Sequence, residues 1–153
     1  ANRVGFEGER FFLETNSGTF DFMMVAEGWR KLALLLLLIN NGAIHPGVHL
    51  FWDEPDTNLN PKLLRVVAEA LLAMQRLGVQ IFLATHNYVL LKEFDLLAKP
   101  GDSVRYHALY QENEDEGVLV HSTDNYLDIS PNAIADTFGD LYDRDMQRAL
   151  SRG

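Results

Sequence analysis

Near the middle of the chain, the sequence predicts a strand, a helix and a second strand in direct succession. Residues 48–52 and 79–84 are apolar without alternation, a pattern typical of parallel strands covered on both faces. Between them, residues 61–77 carry apolar side chains at helical spacing, after the capping residue Asn60 and before Gly78, which suits a left-handed closing position. Such a unit forms a right-handed crossover, so the carboxyl ends of both strands are expected at one edge of a sheet.

The remaining segments predict hairpins and helices around this unit. A leucine-rich helix, apolar nearly all round, is expected to be buried on most faces, and a final amphipathic helix is expected to start at Ser130 and Pro131. We expect one α/β domain over residues 1–153, with a hairpin at residues 10–14 and 19–23, the leucine-rich helix at 29–40, a helix at 88–97, a second hairpin at 103–110 and 117–122, and the final helix at 133 to 150.

Composition excludes several classes of protein. The 153 residues are 47% apolar and contain no cysteine, which excludes a disulfide framework and thiolate metal sites. The longest apolar run, residues 32–39, is far shorter than the roughly 20 residues of a membrane span. No basic leader precedes the first strand, so a cytoplasmic location is expected. A net charge of −9 weighs against broad binding of nucleic-acid backbones by this part of the protein.

Three side chains with groups suited to catalysis or metal binding follow the two apolar runs. Asp53 and Glu54 come directly after the first run, and His86 follows the second. At the end of a buried strand, Asp53 can bind a magnesium-bound water, while Glu54 can polarise a water that attacks a phosphate. The Asp53-Glu54-Pro55 segment alone fits an ordinary polar turn equally well. The position of His86 at the same expected sheet edge favours a functional interpretation.

With these residues the chain resembles the ABC-type ATPase superfamily, and more closely the SMC-like and OLD-like, AAA-type heads of DNA-repair and phage-defence proteins. Asp53 and Glu54 look like the Walker B aspartate and the catalytic glutamate, and His86 matches the switch histidine. The resemblance implies a P-loop NTPase-like fold with an ABC-ATPase-type parallel sheet core, flanked by helices, with β-hairpins at the periphery. It also implies ATP and Mg²⁺ as cofactors, with Asp53 assisting the metal, Glu54 activating water and His86 sensing the γ-phosphate.

Two further segments resemble motifs that contact a second subunit. Ala26, Glu27 and Gly28 precede the leucine-rich helix as the signature motif does, and that motif touches the γ-phosphate of ATP bound to the partner. Asn58 and Asn60 lie in a segment similar to the D-loop, which usually reads S-A-L-D. Ala26 stands where the family usually has a phosphate-contacting serine, and Asn60 replaces the usual aspartate. On its own, the signature segment is better explained as a loop leading into a core helix.

The phosphate-binding sequence G-x-x-x-x-G-K-[ST], known as Walker A, does not occur in these residues. In the resembled family it lies in an N-terminal lobe. The chain is therefore expected to be the C-terminal part of an ATP-hydrolysing head domain, inactive by itself. Its expected partners are a Walker A lobe of the same or a companion chain and a second head in an ATP-dependent dimer. Nucleic acid would be contacted by other parts of the parent protein.

Two alternatives come from other functional classes. One is a non-catalytic interaction or dimerisation module that kept the fold, an interpretation that Ala26 and the missing phosphate loop favour. Retention of Asp53, Glu54 and His86 together argues against it. The other is a nuclease, which fits less well because no further acidic cluster accompanies the carboxylates and the chain is net negative.

Overall fold

The chain divides into two compact units, Ala1–Thr85 and His86–Gly153, which are described separately. The computed structural model describes residues 3–7, 10–15, 18–21, 27–113, 115 and 117–151. The single domain expected over residues 1–153 stays a prediction.

The first unit begins with an antiparallel sheet of three strands: β1 (Arg3–Glu7), β2 (Arg10–Thr15) and β3 (Gly18–Asp21). The strands lie in the order β1-β2-β3, and Phe12 pairs with Asp21 in the second ladder. The hairpin of β2 and β3 was predicted; its turn at residues 16–17 and the last two residues of its expected second strand, 22–23, lie outside the described residues. Strand β1 was not predicted, because a glycine at its centre weakens a five-residue strand pattern.

Helix α1 (Glu27–Asn40) is the predicted leucine-rich helix, beginning two residues earlier than expected. The expectation that it is buried on most faces is wrong. Gly28, Ala33 and Leu35 are buried, whereas Leu34 and Leu36 are about half exposed, at 46% and 54%. The amount of leucine therefore does not report how many faces of the helix are covered. No helix among the described residues is long and apolar enough to cross a membrane.

The predicted strand–helix–strand unit is confirmed as β4 (His49–Asp53), α2 (Pro61–Arg76) and β5 (Gln80–Ala84). Strands β4 and β5 pair in parallel with Asp53 opposite Ala84, and α2 packs against β5. The expectation that both faces of the strands are covered is wrong. Burial alternates along each strand, and the rings of Phe51 and Phe82 lie stacked on the exposed face, 73% and 45% exposed, with centroids 4.7 Å apart.

Both ends of α2 are fixed by the local chemistry that the sequence predicts. The side-chain oxygen of Asn60 accepts a hydrogen bond from the Lys62 amide at 3.0 Å, and a proline occupies the first helical position. Gly78 has a φ of 91°, and the amides of Gly78 and Val79 donate to the carbonyls of Gln75 and Met74. These bonds form a Schellman motif, which uses carbonyl groups that the helix leaves unpaired. The core of the unit lies along the inner face of α2, at Leu64, Val67, Ala68, Leu71, Leu72 and Met74.

The second unit contains α3 (Tyr88–Leu97), a hairpin of β6 (Tyr106–Tyr110) and β7 (Leu119–Thr123), a short 3-10 helix (Tyr126–Asp128) and α4 (Ala133–Leu150). The hairpin and both α-helices were predicted. The last helix spans the expected residues, but the expected cap at Ser130, with Pro131 at the first helical position, is wrong: Asn132 is the cap, because its side-chain oxygen accepts from the Ala135 amide at 3.1 Å. Residues 130–131 precede the cap.

A cluster of aromatic rings joins α3 to the hairpin. The buried rings of Tyr106 and Tyr126 meet edge to face with centroids 5.9 Å apart, and the Lys92 ammonium lies 4.5 Å from the centre of the Tyr126 ring. Burial, followed by the nearby negative charge of Asp95, raises the pKa of Tyr106 to about 12.

The core position of α2 gives a first prediction. Leu71→Ala should lower the free energy of unfolding by about 2–5 kcal/mol, because Leu71 is 2% exposed and its truncation leaves a cavity. Leu96→Ala makes the same change at a helical leucine that is 70% exposed, and it should cost less than about 0.5 kcal/mol. Urea unfolding of both variants measures the difference, and equal costs would contradict the core placed here.

A second prediction concerns alkaline stability. The pKa of Tyr106 is raised from 10.0 to about 12 in the folded state, so the unfolded chain loses this proton first as the pH rises. The stabilising contribution is therefore fully present below pH 10 and is lost between pH 10 and 12. Tyr106→Phe should lose less stability than the wild type over this interval. Tyr142→Phe, at a side chain that is 65% exposed, should follow the wild type. Chemical denaturation at several pH values provides the comparison.

Candidate functional site at the end of the parallel strands

The chain turns tightly at the end of β4, over residues 53–59, which we call the carboxylate turn. The Glu54 amide donates to the carbonyl of Ala84 at 2.9 Å, so the ladder between β4 and β5 extends one residue beyond Asp53. Within the turn, the Thr57 amide donates to the Glu54 carbonyl at 3.2 Å, and the Leu59 amide donates to the Asp56 carbonyl at 3.1 Å. The chain then enters α2, so the turn is anchored at both ends by regular structure.

Glu54 has an unusual backbone conformation, with a φ of 45°. A side chain with a Cβ in the left-handed region costs roughly 1–2 kcal/mol, and such residues persist only where their surroundings fix them. Glu54 is fixed at its amide, its carbonyl and its carboxylate: the amide donates to the Ala84 carbonyl, the carbonyl accepts from the Thr57 amide, and Oε2 accepts from the Thr57 hydroxyl at 2.9 Å. The carboxylate is therefore held in one orientation at the end of the sheet, half-buried.

Asp53 lies in a different environment from its neighbour. It is exposed and belongs, by strand alternation, to the same face of β4 as Phe51. Among the described residues, no cluster of three or more His, Cys, Asp or Glu side chains forms a complete metal site. A single accessible carboxylate still fits Mg²⁺, which keeps several waters and takes its other ligands from nucleotide phosphates. The donor set suits a metal that arrives with a nucleotide.

Asp56 was missed in the sequence analysis, although it is the one buried charged or polar residue among the described residues, at 8% exposure. Its Oδ1 accepts from the Thr85 hydroxyl at 2.7 Å. A buried carboxylate needs such a partner, since burial of an unpaired charge is costly. The bond ties the carboxylate turn to the end of β5. A third acid after Asp53 and Glu54, together with a hydroxyl at the end of the next strand, was the available signal.

The first turn of α1 lies directly against the carboxylate turn. A Cβ on Gly28 would lie 2.6 Å from the Asn58 carbonyl oxygen and 2.7 Å from a methyl carbon of Leu59, so only glycine fits. Beside it, Asn58 Nδ2 donates to Glu27 Oε2 at 2.7 Å, and Asn58 itself has a φ of 63°, which asparagine tolerates. A groove of about 170 Å³ lies here, lined by Gly28, Trp29, Asn58, Leu59, Asn60 and Leu63. Ala26 lies outside the described residues.

Lys31 also joins α1 to the turn, and its role too was missed. Its Nζ donates to the carbonyl of Glu54 at 2.9 Å and to the carbonyl of Thr57 at 3.2 Å. The ammonium therefore bridges two carbonyl groups within the carboxylate turn. No local sequence signal predicts this contact, because both acceptors are backbone groups whose positions depend on the fold.

The other predicted site residues have different local roles. Asn60, expected in a D-loop, uses its side-chain oxygen to cap α2. His86 follows the end of β5 by two residues, is exposed and begins the second unit, where the neighbouring Asn87 caps α3 by accepting from the amides of Val89 and Leu90. In the first unit, Glu54, Glu27, Gly28 and Asn58 are brought into one local structure.

Residues 2–92 of this chain, 91 of its 153 residues, match the family described as "AAA domain, putative AbiEii toxin, Type IV TA system". The matched segment contains α1, the carboxylate turn and β5, and it extends past His86. The chain belongs to this AAA domain family. The hairpin of β6 and β7 and helix α4 lie beyond the matched residues.

The fold is also similar to that of a solved chain from work on the "Structural biochemistry of ATP-driven dimerization and DNA stimulated activation of SMC ATPases". The TM-score is 0.64 over 93% of this chain and 81% of that chain, with 12% sequence identity. At that identity the likeness concerns the fold alone. No curated protein matches this AAA domain by sequence. The family match and the fold confirm the resemblance to SMC-like AAA ATPase domains and the mixed α/β class.

The fit between α1 and the turn gives a third prediction. Gly28→Ala places a methyl group against backbone atoms and should destabilise the protein by about 1–3 kcal/mol. Gly139→Ala makes the same change in α4, where nothing lies within 4 Å, and it should stabilise by about 0.5–1 kcal/mol through helix propensity. Opposite signs in thermal or urea unfolding are the expected result. A neutral Gly28→Ala variant would contradict the close approach described here.

Proposed function

We propose that this chain is the C-terminal part of an ATP-binding and ATP-hydrolysing head domain that dimerises around Mg-ATP. The observation that carries the proposal is the conformation of Glu54, a left-handed residue whose amide, carbonyl and carboxylate are each hydrogen-bonded at the end of a parallel strand. Strain of this kind at a residue with reactive chemistry is typical of functional sites. Membership of an AAA domain family supports ATP as the ligand.

Each site residue has a proposed role in hydrolysis. Asp53, exposed at the end of β4, would hold Mg²⁺, which would supply positive charge to the phosphates of a bound nucleotide. Glu54 orients the attacking water and accepts its proton. His86 donates a hydrogen bond to the γ-phosphate. Metal binding is thus assigned to the exposed carboxylate and water activation to the half-buried one.

The partner head is proposed to bind across the groove between α1 and the carboxylate turn. Backbone amides near Gly28, preceded by Ala26, face the γ-phosphate of ATP held by the partner, aided by the positive end of the α1 dipole. Glu27 places a negative charge there, so we assign it to holding Asn58 and not to phosphate contact. Asn58 and Asn60 then form the D-loop side of the groove. The SMC ATPases with a similar fold are described as undergoing ATP-driven dimerisation, which supports this arrangement.

The Walker A sequence is proposed to come from an N-terminal lobe of the same or a companion chain. Such a lobe would extend β4 and β5 into the larger parallel sheet of a P-loop NTPase. The stacked rings of Phe51 and Phe82 support a further element of that lobe on the exposed face of the two strands, since a contiguous exposed apolar surface marks a place where another element packs. Asp53 lies on the same face, where the phosphates would then be bound.

The setting of the parent protein is proposed to be phage defence, in preference to DNA repair. Support comes from the description of the matched family, which names the AbiEii toxin and type IV TA systems. DNA, which is named for the activation of SMC ATPases, would be contacted by other parts of the parent, because the present chain has a net charge of −9.

A second candidate is a non-catalytic interaction module of the same fold. Two contacts favour it: the Asn60 side chain is used as a helix cap, and the Glu27 carboxylate occupies the end of α1 where a phosphate would bind. A module of this kind would bind its partner equally well with and without ATP.

The fourth prediction concerns Glu54→Gln in the full-length protein that contains this segment. The amide keeps the size of the side chain but cannot accept a proton, so the rate of ATP hydrolysis should fall by about 100-fold or more. ATP-dependent dimers should persist, because binding does not require the carboxylate. Steady-state ATPase assays and light scattering with and without Mg-ATP measure the two properties.

Glu112→Gln, in an exposed loop of the second unit, is the matched control and should hydrolyse ATP at the wild-type rate. Normal turnover by Glu54→Gln would refute the catalytic role. Partner binding that is tight and independent of ATP in both variants would support the interaction module instead.

A further inference from the structure

Lys31 forms a contact between α1 and the carboxylate turn that reaches the backbone of Glu54. In the described residues, both hydrogen bonds of its ammonium go to backbone carbonyls, those of Glu54 at 2.9 Å and Thr57 at 3.2 Å. Hydrogen bonds from a charged donor are about twice as strong as neutral ones. The lysine therefore fixes the carbonyl group of the residue whose φ is left-handed.

The contact belongs to a set of three along a single turn of α1. Gly28 lies against the Asn58 carbonyl, Glu27 accepts from the Asn58 side chain, and Lys31, one helical turn later, reaches the start of the same turn. These three contacts thus hold the carboxylate turn from Glu54 to Asn58. Because two of the three contacts involve backbone atoms directly, the first turn of α1 and the carboxylate turn are held together.

The chemistry of lysine suits this task. Its ammonium offers three donors, so it can donate to both carbonyl groups at once. Two further anchors of the turn are independent of α1: the bond from the Glu54 amide to Ala84 in β5, and the bond from Thr85, the residue after β5, to Asp56. Glu54 is therefore positioned from two sides, one fixed by the sheet and one fixed by the helix.

We propose that Lys31 is a positioning residue that couples helix α1 to the catalytic carboxylate. By holding the carbonyls of Glu54 and Thr57, it fixes the backbone from which the Glu54 side chain extends. This inference rests on the proposed function, in which Glu54 activates the attacking water.

The structural part of the proposal is tested on this chain alone by hydrogen exchange. Lys31→Met keeps the stem and removes the donors, so the amides of Thr57 and Leu59 should exchange about 5- to 10-fold faster. Lys62→Met, at an exposed lysine in the first turn of α2, should leave these rates unchanged. Unchanged exchange of Thr57 and Leu59 in Lys31→Met would overturn the coupling without bearing on ATP hydrolysis.

The functional part is tested in the full-length protein by steady-state kinetics. Lys31→Met should lower kcat by about 10-fold or more while KM for ATP changes less than about twofold, because misplacement of a catalytic group affects the chemical step. Lys31→Arg, which keeps charged donors, should recover most of the loss. ATP-dependent dimers of the Glu54→Gln variant should form equally well with Lys31→Met added.

The outcomes separate the two proposals. If the wild type hydrolyses ATP and Glu54→Gln does not, but Lys31→Met matches Lys62→Met, the coupling is refuted and the proposed function stands. Loss of dimers together with kcat, without recovery in Lys31→Arg, reveals a purely structural lysine and also refutes the coupling. If the wild type and Glu54→Gln hydrolyse ATP equally, the proposed function itself fails.

Discussion

The carbonyl oxygen of Glu54 accepts from two donors, the Thr57 amide within the turn and the Lys31 ammonium from α1, and the geometry of the whole site depends on this group. A residue with a φ of 45° is unfavourable by itself. Its surroundings compensate through bonds to the amide, the carbonyl and the side chain. The consequence is a carboxylate at the end of a strand that does not sample the many orientations open to an exposed glutamate.

The same turn accounts for the residue types at several neighbouring positions. Gly28 must be glycine because α1 approaches the backbone of Asn58, and Asn58 tolerates the left-handed conformation that this approach requires. Asp56 can be buried because a hydroxyl at the end of β5 donates to it. Each of these residue types is determined by a contact to backbone or to a buried charge, so substitutions that look conservative by size or polarity are not equivalent.

Local signals in the sequence predicted most of the helices and strands but not which of their faces are buried. The caps at Asn60 and Gly78 and the parallel order of β4 and β5 follow from capping chemistry and apolar periodicity, which are properties of neighbouring residues. Burial does not follow from such properties. The leucines of α1 and the phenylalanines of β4 and β5 are apolar on faces that remain exposed here. Asn132, and not Ser130, caps the last helix, through a single hydrogen bond.

Asp56 and Lys31 were missed because their partners lie 29 and 23 residues away in sequence. The place of Asp53 and Glu54 at the end of β4 follows directly from the strand before them, and the roles of Asp53, Glu54 and His86 stay predictions.

The stack of Phe51 on Phe82 has a consequence for the order in which a complete head would assemble. Two large rings held parallel in water carry a free-energy cost of a few kcal/mol that any covering surface relieves, whether or not a nucleotide is present. Under the proposed function, the lobe that supplies the phosphate loop would therefore associate first, and Mg-ATP would enter a cleft that already exists. Nucleotide concentration would then control closure between two heads and have little effect on whether each head is whole.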